Sequence, residues 1–333
     1  MSSADVEAHP PGLLTTDAED ALRALRAGRL AVLPTETVYG LGADATDPHA
    51  VARVYAVKGR PADHPLIVHV ASARALPGWA VQVPDYASRL AEACWPGPLT
   101  LVLPRHADVP DAVTGGQDTV AVRVPDHPLT LQVLRAFDGG VAAPSANRFG
   151  RVSPTTAGHV LDELGDVLVP GRDVVLDGGP CTVGVESTIL DCTGPAPRVL
   201  RPGAVDEPTV RTVGGVAVVA GPSRVRAPGS LASHYAPQAR VRLVDAALLR
   251  RHPGVPPTGP PDTGVLAPAD VATPLGMVRL SAPGTAAAYA RVLYAALREA
   301  DALDLREVLA VPPQGAGLAA AVRDRLSRAA AAG

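Results

Sequence analysis

Two stretches of short apolar strands and amphipathic helices, joined by a segment rich in proline, glycine and serine, most constrain the fold of this chain. The joining segment runs from about residue 202 to residue 237, and its composition disfavours regular helices and strands. The 333 residues are enough for two domains. We therefore predict a larger domain over residues 13–205, a linker over residues 206–238 and a smaller domain over residues 239–333.

The first stretch predicts a twisted, mixed sheet with flanking helices. Asp47-Pro48 is typical of a helix start, and Lys58-Gly59 is typical of its end. Strands and helices do not alternate cleanly, which favours a mixed sheet over a doubly wound parallel one. The strands are predicted at residues 30–33, 66–70, 99–103, 120–124, 141–143, 167–169, 174–176, 187–190 and 199–201.

The second stretch predicts a smaller α/β domain, which we take to be Rossmann-like. Its strands are expected at residues 241–244, 264–267, 277–280 and 308–311, with helices near residues 285–300 and 317–331. The fold class of the whole chain is therefore α/β, with α+β character in the larger domain.

Composition excludes several classes of protein. The chain is 47% hydrophobic and carries a net charge of −3, so a sizeable core is expected and a generally basic nucleic-acid coat is not. No apolar stretch is long enough for a membrane span, and residues 1–11 do not resemble a signal peptide. The three cysteines (Cys94, Cys181 and Cys192) lack metal-ligand spacing. We expect a cytoplasmic protein without a protein-bound metal site or membrane contact.

Lysine and asparagine are nearly absent. Of 30 basic residues, 29 are arginine and one is Lys58, and Asn147 is the only asparagine. A surface ion pair tolerates arginine in place of lysine, but a compact ammonium that binds a phosphate differs from a planar guanidinium. We therefore predict that Lys58 binds a nucleotide phosphate.

Polar side chains gather where predicted strands and helices end. Lys58, Arg60, Arg123 and Arg201 supply four cations, and hydroxyl-bearing residues lie between them in the sequence. Convergent cations and hydroxyls predict a pocket for phosphate and carboxylate groups. The chain has no Walker A or G-x-G-x-x-G sequence and no serine or cysteine arrangement typical of a nucleophile, so catalysis by positioning and charge is favoured.

Each of these residues also has a purely structural interpretation. Lys58 can stabilise the carboxyl end of a helix, and Arg123 can form a structural ion pair. His69, on an apolar strand, can be a core histidine, and Ser145 and Asn147 can be turn formers.

Seven motifs in order resemble the threonylcarbamoyl-AMP synthase family, in its long form with an amino-terminal YrdC-like domain. The likeness covers almost the whole chain outside the first dozen residues and residues 253–275. The matching stretches are Leu33-Pro34-Thr35-Glu36-Thr37-Val38-Tyr39-Gly40-Leu41, Lys58-Gly59-Arg60-Pro61, Trp95-Pro96-Gly97-Pro98-Leu99-Thr100, Val122-Arg123-Val124-Pro125, Ala143-Pro144-Ser145-Ala146-Asn147, Glu186-Ser187-Thr188 and Leu200-Arg201-Pro202-Gly203.

This resemblance implies a reaction in which L-threonine, bicarbonate and ATP give threonylcarbamoyl-AMP and pyrophosphate. The product would serve N6-threonylcarbamoyladenosine formation next to the anticodon, so tRNA would be reached indirectly through downstream transfer proteins. The resemblance implies catalytic roles for Lys58 and Arg60 and a threonine pocket of Thr35, His69, Arg123, the Ala143 backbone and Ser187. The implied ATP site comprises Lys58, Arg60, Thr119, Ser145, Asn147, Ser153, Arg201 and Tyr235.

The resemblance further implies that Tyr235, in the linker, closes over the nucleotide, and that Mg²⁺ accompanies ATP with no tightly bound organic cofactor. His64 departs from the asparagine found in many relatives, so no role is assigned to it. Two alternatives stay open: a non-catalytic module that binds double-stranded RNA or tRNA, and, less favoured for lack of cysteine clusters, a carbamoyltransferase of the hydrogenase-maturation kind.

Overall fold

The computed structural model describes residues 12–229, 234–251 and 261–331. The polar amino terminus therefore lies outside the described residues. Within them, a ten-stranded mixed sheet and a four-stranded parallel sheet form two units, here termed the large unit and the small unit. No helix of the described residues is long and apolar enough to cross a membrane.

The large sheet has the order β1-β8-β2-β3-β7-β4-β6-β5-β9-β10. Its strands are β1 (Leu14–Thr15), β2 (Ala31–Leu33), β3 (Gly40–Asp44), β4 (Ile67–His69), β5 (Leu99–Pro104), β6 (Thr119–Arg123), β7 (Val141–Ala142), β8 (Val174–Leu176), β9 (Thr188–Asp191) and β10 (Arg198–Arg201). Parallel and antiparallel pairs both occur, which confirms the mixed sheet.

Seven α-helices and one 3₁₀ helix (Ala73–Gly78) accompany this sheet in the described residues. Helix α2 presents Lys58 as predicted: Asp47 caps its first turn and Gly59 ends it at a φ of 60°. The α-helices are α1 (Ala18–Arg26), α2 (Pro48–Lys58), α3 (Asp85–Cys94), α4 (Asp111–Thr114), α5 (Pro128–Phe137), α6 (Ala157–Leu164) and α7 (Glu207–Gly214).

The small sheet is entirely parallel, in the order β11-β14-β12-β13. Its elements are β11 (Arg240–Leu243), α8 (Ala246–Arg251), β12 (Thr263–Leu266), β13 (Val278–Ser281), α9 (Ala286–Ala302), β14 (Glu307–Ala310) and α10 (Leu318–Ala330). Val38, Val152 and Val185 of the large unit share one buried apolar cluster with α9 and α10, so the two units pack together through an apolar interface.

Three expectations about local structure were wrong or incomplete. Residues 167–169 form a turn rather than a strand, because the Val169 amide donates to Asp173 Oδ2 (3.0 Å). Strand β3 was missed because glycine on its own disfavours strands. In the sheet, glycine is needed at position 42, because a Cβ there would lie only 2.8 Å from the Ala31 oxygen of β2. Helix α7 lies inside the predicted linker, where Val210 is buried in the core of the large unit.

Candidate functional site

A small cavity of about 50 Å³ lies beside the β2–β3 loop, against β4, the carboxyl ends of β6 and β10, and the loop that follows β7. Its walls include much of the predicted site together with residues of the joining segment. The lining residues are Thr35, Thr37, Val38, Gly40, Arg60, Ile67, His69, Arg123, Ala143, Pro144, Ser145, Glu186, Arg201, Pro228, Gly229, His234 and Tyr235.

The β2–β3 loop is held in shape by its own threonines. Thr35 Oγ1 accepts hydrogen bonds from the amides of Thr37 and Val38, both at 3.1 Å, and donates to the Val38 oxygen at 2.6 Å. Short local bonds of this kind fix a tight loop without help from a sheet ladder. The bonds within the loop therefore position the hydroxyls of Thr35 and Thr37 at the cavity.

Arg123 and His69 are neighbours because β4 and β6 are parallel and in register at these two residues. Arg123 Nη2 donates to Glu36 Oε1 (2.6 Å), and both side chains are 4% exposed. The structural interpretation of Arg123 is thus correct, and its place on the cavity wall is consistent with the functional one too. Burial first, and then the nearby Arg123 charge, lower the pKa of His69 to about 3, so the imidazole is neutral at pH 7.

The Lys58 ammonium lies against the loop that follows β7. It donates to the carbonyl oxygen of Ser145 (2.5 Å) and to that of Asn147. Asn147 Nδ2 in turn donates to the Arg148 and Arg151 oxygens. Ser145 lines the cavity, whereas Lys58 and Asn147 are buried directly behind it. Burial and then Arg60 lower the pKa of Lys58 well below its ordinary value.

Two further cations, Arg60 and Arg201, line the cavity. Arg60 Nη2 donates to the Pro65 oxygen (2.9 Å). Arg201 Nε donates to the Ser187 oxygen (3.0 Å), and its Nη2 to Ser187 Oγ (3.1 Å). Ser187 is fully buried behind the cavity, where its hydroxyl also contacts Thr100. Burial lowers the pKa of both guanidinium groups.

Ser153 does not line the cavity, but its hydroxyl donates to Glu186 Oε1 (2.7 Å), and Glu186 does line it. Thr119 lies at the opposite end of β6 from Arg123 and is not among the lining residues. Sequence reasoning missed Glu36 and Glu186 as site residues, although both stand inside motifs that the resemblance used. Tyr294 and Arg325 contact Glu186 from the small unit. Arg325 stands in Asp324-Arg325-Leu326, a stretch that resembles the carboxyl-terminal helix of the family, but neither residue was assigned to the site.

Tyr235 is 1% exposed and lines the cavity with His234. Its φ of 63° lies in the left-handed region, which costs a residue with a side chain roughly 1–3 kcal/mol and requires support from its surroundings. Pockets for small molecules usually enclose about 300–1,000 Å³. With Gly229 and Tyr235 among its lining residues, the cavity is smaller than that.

Several buried polar atoms at this cavity lack a protein partner. Among the described residues, nine buried side-chain polar atoms make no hydrogen bond, and four of these belong to cavity-lining residues. They are Arg60 Nε, His69 Nδ1, His234 Nδ1 and Tyr235 Oη. Because buried polar groups normally find partners, this concentration indicates a site that is completed by ligand or water.

Carboxylates for a metal ion are scarce at the cavity. Glu36 is paired with Arg123, and Glu186 with Arg325. Across the described ranges, no group of three histidine, cysteine, aspartate or glutamate side chains is arranged to hold a metal ion. A divalent cation at this cavity would therefore take most of its ligands from bound phosphates and water, as Mg²⁺ commonly does.

Comparisons with known proteins match both units. A family model described as "Telomere recombination" matches residues 23–203, and one described as "Threonylcarbamoyl-AMP synthase, C-terminal domain" matches residues 204–331. The threonylcarbamoyl-AMP synthase of Pyrococcus abyssi is 45% identical over 227 residues, covering 66% of this chain and 66% of the relative. That of Bacillus subtilis is 42% identical over 243 residues, covering 71% and 69%. These alignments span about two thirds of the relatives' length.

A solved structure extends the likeness to the whole chain. The Pyrococcus abyssi Sua5 structure complexed with L-threonine is 36% identical, with a TM-score of 0.84 over 96% of this chain and 97% of that one. Both units, and the way they pack, are thus shared with this relative. The chain belongs to the threonylcarbamoyl-AMP synthase family, in its two-domain form.

Proposed function

We propose that the protein is a threonylcarbamoyl-AMP synthase that converts L-threonine, bicarbonate and ATP into threonylcarbamoyl-AMP and pyrophosphate. One observation carries the proposal: Lys58, Arg60 and Arg201 are buried at one cavity without an ion pair to any carboxylate of the described residues. Their hydrogen bonds go to carbonyl and hydroxyl oxygens. Buried charges of one sign are costly until an opposite charge arrives, which favours a polyanionic substrate.

Threonine is assigned to the part of the cavity formed by Thr35, His69, Arg123 and the Ala143 backbone, with Ser187 behind it. A guanidinium can bind the threonine carboxylate, and neutral His69 adds no charge that would oppose the substrate amine. The Pyrococcus abyssi relative was solved with L-threonine, which supports L-threonine as a ligand of this protein.

ATP is assigned to Lys58, Arg60, Ser145, Asn147, Ser153, Arg201 and Tyr235, with Tyr235 closing over the nucleotide. Thr119 was also assigned to it, but lies at the far end of β6 from Arg123. Lys58, Asn147 and Ser153 do not line the cavity either, so contact of ATP with these four side chains would require the cavity wall to rearrange. Mg²⁺ would come with the triphosphate and supply charge neutralisation there. By this division, residues 13–205 would form the catalytic domain, 206–238 the closing segment and 239–333 an accessory domain. Helix α7, inside 206–238, packs into the core of the large unit and would belong to the catalytic domain instead.

The chemistry requires no nucleophile from the protein. The threonine amine forms a bond to the carbon of bicarbonate or CO₂ and gives a carbamate, with loss of water in the case of bicarbonate and of a proton in the case of CO₂. A carbamate oxygen then attacks the α-phosphorus, and the bond to the β-phosphate breaks so that pyrophosphate leaves with its electron pair. Buried cations would stabilise the negative charge on the phosphate oxygens and on the leaving pyrophosphate. Cys181 near the cavity is unsuited to attack, because burial raises its pKa to about 12.

Pyrophosphate release from ATP tests the proposal directly. The full chain is assayed with each of the twenty amino acids, with and without bicarbonate. Release that depends on both L-threonine and bicarbonate is expected, with L-serine, which lacks only the methyl group, as the sharpest competitor. Release that depends on neither overturns the proposed function. Downstream, the product would reach tRNA through transfer proteins in the cytoplasm.

A non-catalytic RNA-binding function is not favoured. The four cations that suggested it are 3–8% exposed and line a small cavity or lie behind its wall. Phosphate contacts to a duplex come from cations displayed on an accessible surface. The burial of these cations instead suits a small polyanion.

A further inference from the structure

We propose that Tyr294 and Arg325 of the small unit are positioning residues of the nucleotide site, acting through Glu186 and Tyr235. Neither residue lines the cavity. The inference rests on the proposed ATP-dependent function, and it assigns the small unit a part in that reaction.

Glu186 joins the two units through its carboxylate. Ser153 Oγ donates to Oε1 (2.7 Å) from the large unit. Tyr294 Oη contacts Oε1 at 3.0 Å and Oε2 at 2.8 Å, and Arg325 Nε donates to Oε2 at 2.7 Å. Burial alone would raise the pKa of Glu186, but Arg325 and then Arg201 hold it well below its usual range. The carboxylate is therefore charged and occupied by donors on both oxygens.

Tyr235 packs on the same two residues. Its ring centroid lies 5.7 Å from that of Tyr294, with a tilt of 30°. The Arg325 guanidinium carbon lies 5.4 Å from the Tyr235 ring centroid, which is within cation–π distance. The small unit thus supplies part of the support that the left-handed backbone of Tyr235 requires.

Asp324 is a further partner of Arg325, in addition to Glu186 and Tyr235. Arg325 Nη1 donates to Asp324 Oδ2 (2.7 Å), and the Arg325 side chain is fully buried. A guanidinium held by Glu186 and Asp324 is rigid, and a rigid cation keeps one face towards the Tyr235 ring. Ser153, Glu186 and Tyr235 therefore depend on the small unit for their positions.

Loss of the Tyr294 hydroxyl should loosen the nucleotide site selectively. Tyr294→Phe keeps the ring that packs against Tyr235 and removes only the bonds to Glu186. Tyr289→Phe is a matched control, because Tyr289 lies on the same helix, is 1% exposed and donates to the Leu266 and Val311 oxygens within the small unit. Both variants lose one buried hydroxyl.

The experiment measures KM for ATP and for L-threonine in the full chain, together with the Kd of a non-hydrolysable ATP analogue. Tyr294→Phe is expected to raise KM for ATP and the analogue Kd about tenfold, the low end of the range for loss of a hydrogen bond to a charged group. KM for L-threonine should stay within twofold, and Tyr289→Phe should leave both constants at the wild-type values. A merely structural role would lower the active fraction and leave KM unchanged.

A second pair of variants provides an independent test in case Tyr294→Phe does not fold. Arg325→Lys keeps the charge but lacks the two-ended guanidinium, whereas Arg323→Lys changes an arginine on the same helix that bonds to the Pro313 and Gly315 oxygens. Arg325→Lys alone should weaken analogue binding. Wild-type analogue Kd in Tyr294→Phe and Arg325→Lys, or tighter binding in either, overturns the proposal. Because analogue binding needs no turnover, a failure of the proposed reaction is seen separately, in wild-type pyrophosphate release.

Discussion

Lys58 is held between main-chain oxygens rather than beside a carboxylate. This environment explains why the residue is lysine in a chain that otherwise uses arginine. An ammonium can point toward two carbonyls of one loop in a small space, whereas a planar guanidinium is larger and needs a fork of acceptors. The residue also fixes the loop that carries Ser145 to the cavity wall.

Lys58→Arg is expected to lower the rate of pyrophosphate release at least tenfold although the charge is kept, because a larger group must enter a packed site. The measurement is kcat at saturating ATP and L-threonine. The control is Arg242→Lys, which replaces arginine by lysine at an exposed ion pair and should leave kcat unchanged. Wild-type kcat in Lys58→Arg would contradict the idea that an ammonium is required.

Two buried histidines predict acid sensitivity. Burial lowers the pKa of His69 and of His234 to about 3, with Arg123 adding to the effect at His69. Between about pH 6.5 and pH 3 the unfolded chain therefore binds protons at these sites and the folded protein does not. The free energy of unfolding should fall as pH decreases through this window, by about 1.4 kcal/mol per pH unit for each histidine.

His69→Gln should make this pH dependence less steep, by about 1.4 kcal/mol per pH unit. Urea unfolding at pH 7, 6 and 5 measures the slope. The wild-type chain, unfolded in the same buffers, is the reference for this slope. An unchanged slope in His69→Gln would show that His69 is not the neutral, buried group described here.

At the scale of the element, β9 and β10 depend on a close approach at Gly203. A Cβ at this position would lie 2.3 Å from the Thr188 nitrogen and 2.7 Å from the Ser187 carbonyl carbon. The backbone that follows β10 thus leaves no space for a side chain beside β9. This contact keeps Arg201 of β10 next to Ser187.

Gly203→Ala is expected to destabilise the fold by about 1–3 kcal/mol and to reduce pyrophosphate release, since the two strands must separate. Thermal unfolding and the release assay give the two readouts. Gly78→Ala is the matched control, because no atom lies within 4 Å of its added Cβ. If Gly203→Ala and wild type are equally stable, the backbone beside β9 can move to accommodate the methyl group without loss of folding free energy.

On the scale of the whole molecule, the small unit and the joining segment complete the cavity. Gly229, His234 and Tyr235 line it, and apolar residues of the large unit pack into the core of the small unit. A chain that ends at Arg224 should therefore lose most pyrophosphate release. Circular dichroism establishes whether the shortened chain is folded; a folded fragment with full activity would show that the segment and small unit are passive.

Much of the fold and many site residues could be predicted from the sequence. Local signals were sufficient for α2, because a capping aspartate, an early proline and a final glycine act within one helix. They were insufficient for β3, whose place depends on partners on both sides in the sheet. Helix α7 was also missed, because the composition around it is typical of a linker. Its stability comes from packing on α3, which the local sequence does not indicate.

The cations, hydroxyls and ordered motifs of the site could be identified from residue type and spacing along the chain. Which charges neutralise one another became known from the folded structure. It paired Arg123 with Glu36, and Glu186 with Arg325 from the far end of the chain, and it left Lys58 to carbonyl oxygens. Such pairings depend on distances through space and on burial, which the order of residues does not record.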